Sequence, residues 1–256
     1  MKKEYIKIYG ERNTGTNYLQ ELVKTNLDVN ILPGIMPSRL VNQQKYLLDN
    51  EIAMDIYDFM TYHKTLGWKH SLVRNKETIK KTKIYKENKV YFLTITKNPY
   101  SWLLSLYKRP YHQKIEKEMS FSEFINHPWK SVYREHSQKT FENPIDLWNK
   151  KNKSYIELRK NFNTINLTYE NLISEPQNII NHISNDFSIK EKIQDFQNIN
   201  NSTKSDSKKF VDYQDYYLKE KWREELSPDV IKTINTFLDP EVVNYFNYAL
   251  IESHSI

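Results

Sequence analysis

Two glycines bracket a short polar loop near the start of the chain, in the sequence Gly10-Glu11-Arg12-Asn13-Thr14-Gly15-Thr16-Asn17. The residues before it, 5–9, are mostly β-branched or aromatic, which predicts a buried strand. The residues after it, 18–27, carry apolar side chains at the spacing of an amphipathic helix. A loop between a strand and a helix N-terminus directs free N–H groups and the positive end of the helix dipole toward one point. The stretch therefore predicts a site for a phosphate or sulfate group.

The spacing of Gly10 and Gly15 is that of a P-loop, but the residues that follow differ. A P-loop continues with lysine and then serine or threonine, whereas this chain has Thr16 and Asn17. The lysine that reaches the β- and γ-phosphates and the usual Mg²⁺ hydroxyl are therefore missing. The alternative interpretation is an ordinary strand-to-helix turn with Thr14 or Thr16 as its N-cap, and the loop alone leaves both open.

A second stretch with chemical potential follows a continuous run of β-forming residues at 90–96. The run predicts a central parallel strand, and Pro99 suits the first turn of the next helix. Lys97 would lie at the carboxyl end of that strand, where open α/β sheets bind ligands. Ser105 follows roughly 10 Å further along the helix. The alternative is a surface lysine and an ordinary helical serine.

The histidines give a weaker signal. His70 lies in the short segment Trp68-Lys69-His70, and a histidine met alone is more often a surface or packing residue than a catalyst. His112, His127 and His136 have no metal-ligand spacing with one another or with nearby carboxylates, so we expect them to be non-functional. No metal site is expected.

The two motifs resemble those of the sulfotransferases that use 3′-phosphoadenylyl sulfate (PAPS). Arg12-Asn13-Thr14-Gly15-Thr16 is similar to the family's 5′-phosphosulfate loop, except that Asn13 stands where the family has lysine. Lys97-Asn98-Pro99 followed by Ser105 is similar to the family's 3′-phosphate motif, with lysine in place of arginine. Lysine keeps the charge but loses the bidentate fork. Finding both motifs in the family's order is a far more specific indication of this resemblance than finding either one alone.

The resemblance implies two anion sites. Arg12 and the backbone N–H groups of Asn13, Thr14, Gly15, Thr16 and Asn17 would hold the 5′-phosphosulfate. Lys97 and Ser105 would hold the 3′-phosphate, and the basic segment 198–213 would close over it with Lys204 and Lys208, although the family's glycines are absent there.

The resemblance also implies catalytic roles. Trp68-Lys69-His70 resembles the family's histidine-bearing strand, in which the histidine is the general base. His70 would take the acceptor proton, which requires a pKa near the working pH. Arg12 or Lys69 would stabilise charge on the leaving phosphate. Glu170, in a segment that resembles the family's Arg-Tyr-Glu-Asp-Leu element, would tie its turn to the nucleotide-binding loops.

Composition narrows the function classes. The chain has no cysteine, which excludes disulfides, thiolate catalysis and cysteine-ligated zinc. The net charge of +6 fits a polyanionic small molecule or an acidic glycan, and also weak non-specific nucleic-acid binding. No long apolar run or signal peptide is apparent, which favours a cytoplasmic protein without a membrane span. The 19 tyrosines fit an AT-rich coding sequence, and we assign them no function.

These observations predict a single α/β domain over residues 1–256, with three layers and a mainly parallel, P-loop-like sheet flanked by helices. The predicted activity is sulfuryl transfer from PAPS to an unknown hydroxyl or amine acceptor, a glycan or small molecule, without specific nucleic-acid binding. A nucleotide-dependent kinase and a catalytically inactive nucleotide-binding relative stay open as alternatives. The sequence does not predict an oligomeric state.

Overall fold

The structure is a computed structural model that describes residues 2–44, 49–113, 119–200 and 208–252. The strands are β1 (Glu4–Gly10), β2 (Asn30–Ile31), β3 (Lys89–Thr96), β4 (Trp129–Lys130), β5 (Thr140–Phe141) and β6 (Thr164–Thr168). The helices are α1 (Thr16–Asn26), α2 (Ser38–Gln44), α3 (Asn50–Thr65), α4 (Lys76–Lys81), α5 (Lys83–Glu87), α6 (Pro99–Lys108), α7 (Phe121–Asn126), α8 (Pro144–Asn161), α9 (Tyr169–Ser174), α10 (Pro176–Phe187), α11 (Phe210–Leu218), α12 (Pro228–Phe237) and α13 (Pro240–Tyr245).

A parallel sheet with the strand order β2-β1-β3-β6 forms the centre of the fold. Strands β1 and β3 pair along the whole length of β1, from Glu4 opposite Lys89 to Gly10 opposite Ile95. Because parallel strands end at one edge of a sheet, the loops after β1 and β3 emerge as neighbours. The predicted α/β class, with a mainly parallel sheet between helices, is confirmed.

The alternation of side chains along the strands divides the core between the two faces of the sheet. Ile8 and Leu93 pack on one face with Leu22 of α1 and with residues of α9 and α10. Tyr9 and Phe92 pack on the other face with residues of α8 and with the chain around α3 and α4. The fold therefore has three layers, as predicted. That residues 1–256 form a single domain stays a prediction.

A third buried cluster lies among helices rather than on the sheet. It joins α6, α7, α8, α12 and α13 around tryptophans that include Trp102, Trp148 and Trp222. Helix α12 begins at Pro228 with Ser227 as its N-cap. This cluster holds α6 rigidly behind the carboxyl end of β3.

The segment at 67–71 is a turn, so the prediction that its histidine lies on a strand is wrong. Leu66 and Gly67 both take positive φ angles, 61° and 80°, which bend the chain away from an extended path. Lys69 nevertheless joins the edge of the sheet, because its carbonyl accepts from Gly10 N–H at 2.9 Å and its N–H donates to the Gly34 carbonyl at 2.8 Å.

Replacing the indole of Trp148 tests how α8 supports the end of β3. Its Nε1 donates to the Lys97 carbonyl at 3.0 Å, and the site is buried. Trp148→Phe should lower the free energy of unfolding by about 1–3 kcal/mol, because the carbonyl would lose its partner. Urea denaturation measures this. Trp129→Phe is the control, since the buried Nε1 of Trp129 has no acceptor among the described residues. Equal losses in both variants would contradict the assignment.

Candidate active site

At the end of the loop between β1 and α1, the N-terminus of α1 has no side-chain cap. Asn13 and Gly15 take left-handed backbone angles, with φ of 67° and 85°. A Cβ on Gly15 would lie 2.6 Å from the Tyr169 ring, so only glycine fits there. Gly15 is the N-cap residue of α1 and no side chain caps the helix, so neither Thr14 nor Thr16 is the cap. The first N–H groups of α1 are therefore available to an anion.

The ends of β3 and α6 bring Lys97 and Ser105 into contact. The Lys97 side chain is only 1% exposed, and its Nζ donates to Ser105 Oγ at 3.0 Å. The same ammonium lies 3.7 Å from the centre of the Tyr217 ring and 5.1 Å from that of Tyr169. Burial raises the pKa of Tyr217, but Lys97, Ser105 and Lys208 together outweigh this effect, and the pKa of Tyr217 is lowered.

Glu170 links the turn after β6 to the turn after β3. Its Oε1 accepts from Asn98 N–H at 3.0 Å and its Oε2 from Tyr248 O–H at 2.8 Å. Burial raises the pKa of Glu170, while these hydrogen bonds oppose the rise. The carboxylate is thus engaged in orienting the backbone beside Lys97, in line with the structural role predicted for it.

His70 and Lys69 lie across from the α1 loop. Nδ1 of His70 is 2.5 Å from the Gly10 carbonyl, and since a carbonyl only accepts, Nδ1 carries the proton and Nε2 carries the lone pair. Burial, followed by the charges of Lys69 and Arg12, lowers the pKa of His70 well below 6.5. The imidazole is therefore neutral at pH 7 and a weaker base than predicted. Lys69 Nζ donates to Asn17 Oδ1, and burial lowers the pKa of Lys69 to about 8.

Arg12 is buried and held by two carboxylates. Its side chain is 3% exposed and pairs with Glu135 at 2.7 Å and with Glu11 at 3.1 Å. Its guanidinium also stacks 4.6 Å from the centre of the Trp68 ring. Two buried carboxylates thus already satisfy the charge of Arg12.

Asn13 itself bridges the loop to α6. Its Nδ2 donates to the Ser105 carbonyl at 3.1 Å, and its Oδ1 accepts from Tyr111 O–H at 2.7 Å. An amide can make both contacts, whereas a lysine ammonium could not accept from the tyrosine. The residue that departs from the family pattern is therefore built into the local structure.

One cavity of about 610 Å³ collects most of the predicted site residues. It includes residues of the loop after β1, the pair Lys97 and Ser105, and also Lys69 and His70. Arg12 and Thr14 are not among the residues that line it, and Thr14 Oγ1 donates to the Glu11 carbonyl at 2.6 Å. Lys208 lies in its wall, and Lys204 lies outside the described residues. The predicted residues that line it are Asn13, Gly15, Thr16, Asn17, Lys69, His70, Lys97, Ser105 and Lys208.

The charge of the cavity wall has one sign. Its cationic side chains are Lys69, Lys97, Lys108, Arg109 and Lys208, and no carboxylate is among the described residues that line it. Lys108 and Arg109 were missed, although they follow Ser105 at the three- and four-residue spacing that places side chains on one helix face. Such a wall attracts a polyanion.

Tyrosines also line this cavity, although no function was assigned to them from the sequence. Tyr213 and Tyr217 are four residues apart on α11 and their rings stack. Tyr18 of α1 stacks on Phe210 at 5.4 Å. Helical spacing could have paired the α11 tyrosines, but nothing local indicates that α11 folds back onto α1. The tyrosines in the wall are Tyr18, Tyr111, Tyr169, Tyr213 and Tyr217.

Within the part of the chain that the structure describes, no group of three or more metal-ligating side chains could hold a metal ion. None of the described helices is both long and apolar enough to span a membrane.

Solved structures provide the comparison that decides the fold. The sulfotransferase domain of the Synechococcus PCC 7002 olefin synthase aligns over 98% of both chains with a TM-score of 0.54 and 13% identity. A sulfotransferase from Alicyclobacillus acidocaldarius aligns over 98% of both chains with a TM-score of 0.50 and 12% identity. The chain has a sulfotransferase fold. No family model matches it, and no curated protein matches it either.

The sulfotransferase fold accounts for where the cavity lies. In an open parallel sheet, ligands bind beyond the carboxyl ends of the strands. The described cavity lies there, between the loop after β1 and the strand end of β3. At this level of identity the neighbours establish the architecture, and the chemistry rests on the residues of this chain.

Proposed function

We propose that this protein is a sulfotransferase that transfers the sulfuryl group of PAPS to an acceptor hydroxyl or amine. One observation carries the proposal: the buried pair Lys97 and Ser105 opens into the same cavity as the uncapped N-terminus of α1. Two anion sites in one cavity, with an excess of lysine and arginine, suit a nucleotide with phosphate groups at both ends of its ribose.

The binding roles follow from these two sites. The N–H groups at the start of α1, together with Asn17 and Lys69, would hold the 5′-phosphosulfate. Lys97 and Ser105 would hold the 3′-phosphate, with Lys208 adding charge at the rim. PAPS would supply the activated sulfuryl group, and the chain supplies orientation and charge.

Lys69, rather than Arg12, is the cation best able to stabilise the leaving phosphate. It lines the cavity and hydrogen-bonds the first turn of α1 through Asn17, whereas Arg12 is committed to Glu11 and Glu135. His70 would accept the acceptor proton on Nε2, since Nδ1 is held by the Gly10 carbonyl. Its lowered pKa keeps Nε2 unprotonated at neutral pH.

The alternatives differ in how the described residues support them. A kinase needs carboxylate or hydroxyl ligands for Mg²⁺, and no carboxylate is found among the described residues of the wall. A catalytically inactive nucleotide-binding protein has one observation in its favour, the neutral Asn13 in the family's lysine position. Cytoplasmic location stays a prediction.

Nucleotide binding tests the proposal. Adenosine 3′,5′-bisphosphate should bind without Mg²⁺ and more tightly than ATP, because both of its phosphates would find partners. Lys97→Met should weaken this binding by about 1.5–3 kcal/mol, the worth of a charge-assisted hydrogen bond, and should affect 5′-AMP much less. Titration calorimetry measures all three ligands.

Lys76→Met, at an exposed lysine of α4 that is not among the residues lining the cavity, is the control for general loss of charge. It should leave every affinity unchanged. Tighter, Mg²⁺-dependent binding of ATP would contradict the sulfotransferase proposal and favour the kinase.

The pH dependence of turnover tests the roles of Lys69 and His70. Breakdown of PAPS to the bisphosphate can be followed without an acceptor. The kcat/KM should fall as the pH rises through about 8, because Lys69 loses its charge there. Lys69→Arg should move this fall to higher pH, since arginine stays protonated. The fall on the acid side should lie well below pH 6.5, because His70 protonates only there.

His70→Ala should lower turnover by about 10²–10⁴-fold and leave the affinity for the bisphosphate nearly unchanged. An alkaline limb that Lys69→Arg does not move would refute the role of Lys69. Unchanged turnover in His70→Ala would refute the role of His70. Asn13→Lys introduces the lysine that the family has at this position. If neither wild type nor Asn13→Lys breaks down PAPS, with or without acceptors from extracts, the result favours the alternative of a catalytically inactive nucleotide-binding protein.

A further inference from the structure

A second cavity, of about 360 Å³, lies beside the first, between α2, α3 and the turns at 33–36 and 67–68. Its volume is within the range of small-molecule sites. Its walls are mostly apolar, from Ile35, Met36, Val41, Met54, Tyr57 and Trp68.

The two cavities adjoin at one side chain and one turn. Ile35, which is 55% exposed, lines both of them. Trp68 lines the second cavity and the next residue, Lys69, lines the first. A molecule in the second cavity can therefore reach the region of His70 by passing Ile35, with its far end held between α2 and α3.

The second cavity differs from the first in charge. Among the described residues no lysine lines it, and the guanidinium found there, that of Arg134, is paired with Glu51 and with Asp55 at 2.7 Å. The other charged group among the described residues of its wall is Asp58, which is 5% exposed. An anionic molecule would find no uncompensated cation there among the described residues.

The carboxylate of Asp58 is held in a fixed orientation. Its Oδ2 accepts from Nε2 of His136 at 2.7 Å, and no described residue donates a hydrogen bond to Oδ1. The neighbouring hydroxyls, those of Thr61 and Thr65, donate to carbonyls of their own helix at 2.8 and 3.1 Å. Oδ1 is therefore available to a donor on a ligand.

Lys7 is a buried lysine that is not among the residues lining the second cavity. Its Nζ donates to the carbonyls of Pro33 and Gly67, two residues of the cavity wall. Burial lowers the pKa of Lys7 to about 7, although Asp58 opposes the change. Much of its charge is thus lost near neutral pH, and it only partly balances Asp58.

We infer that the second cavity binds the acceptor, and that the acceptor is an apolar molecule with an ammonium group at one end and a hydroxyl at the other. Asp58 Oδ1 would bind the ammonium, the apolar wall would cover the body, and the hydroxyl would lie past Ile35. This inference rests on the proposed function and narrows it. An acidic glycan, which the net charge of the chain alone favours, does not match this cavity.

The bonds, the proton and the leaving group of the transfer step can all be accounted for with PAPS, the acceptor and His70. The acceptor oxygen forms a bond to sulfur as the bond between sulfur and the phosphate oxygen breaks. The hydroxyl proton passes to Nε2 of His70, and adenosine 3′,5′-bisphosphate leaves with the bonding electrons. No oxidant, reductant or metal enters the balance.

Three probes of equal chain length test the inference: 8-aminooctan-1-ol, 1-octanol and 8-hydroxyoctanoate. Their binding is measured by calorimetry on protein saturated with adenosine 3′,5′-bisphosphate, so that the first cavity is filled. The amine should bind at least about tenfold more tightly than the acid, the worth of one charge-assisted hydrogen bond. It should also be sulfated when PAPS replaces the bisphosphate, and the acid should not.

Asp58→Asn and a matched control variant test whether Asp58 causes the preference for the amine. Asp58→Asn should remove the advantage of the amine over 1-octanol, whereas Asp49→Asn, which makes the same change at the N-cap of α3 and keeps a capping oxygen, should retain it. Met54→Trp should fill the cavity and abolish binding of all three probes while the bisphosphate still binds. It keeps the test decisive if Asp58→Asn does not fold.

The outcomes separate the two proposals. If wild type binds the bisphosphate but binds the acid as tightly as the amine, or if Met54→Trp leaves amine binding intact, the acceptor inference is wrong and the proposed function stands. If wild type does not bind the bisphosphate, the proposed function fails and the acceptor inference fails with it.

Discussion

The ammonium of Lys97 is the constraint on which the rest of the site depends. A buried charge is costly unless polar or aromatic groups compensate it. Here Ser105 Oγ and the face of the Tyr217 ring do so, and no carboxylate joins them among the described residues of the cavity wall. This cation has no carboxylate partner among the described residues of the wall, so an anion that reaches it would stabilise it further.

Several parts of the fold serve to hold that charge at the cavity. Trp148 fixes the Lys97 carbonyl, Glu170 fixes the next N–H, and Tyr217 comes from a helix far along the chain. The parallel pairing of β1 with β3 then sets the distance to the α1 loop, because both strands end at the same edge. The register of this pairing, rather than any one contact, therefore sets the distance between the α1 loop and the Lys97–Ser105 pair.

The sequence predicted the elements whose signals are local. The glycines around the first loop and the proline after Lys97 mark the ends of strands and the starts of helices, which can be located from the sequence alone. Arg12 could not be placed in this way, because Glu135, with which it pairs, lies in a distant segment. The turn at Leu66 and Gly67 was also missed, because the strand expected there was implied only by the family resemblance. The tyrosines of α11 required tertiary contacts with α1.

The central claim is that the start of α1 and the pair Lys97 and Ser105 hold the two ends of one nucleotide. A crystal structure with adenosine 3′,5′-bisphosphate tests it most directly. The account predicts the 5′-phosphate on the N–H groups of Thr16 and Asn17 and the 3′-phosphate within hydrogen-bond distance of Lys97 Nζ and Ser105 Oγ. A nucleotide bound with its 3′-phosphate away from Lys97, or bound outside this cavity, would contradict it.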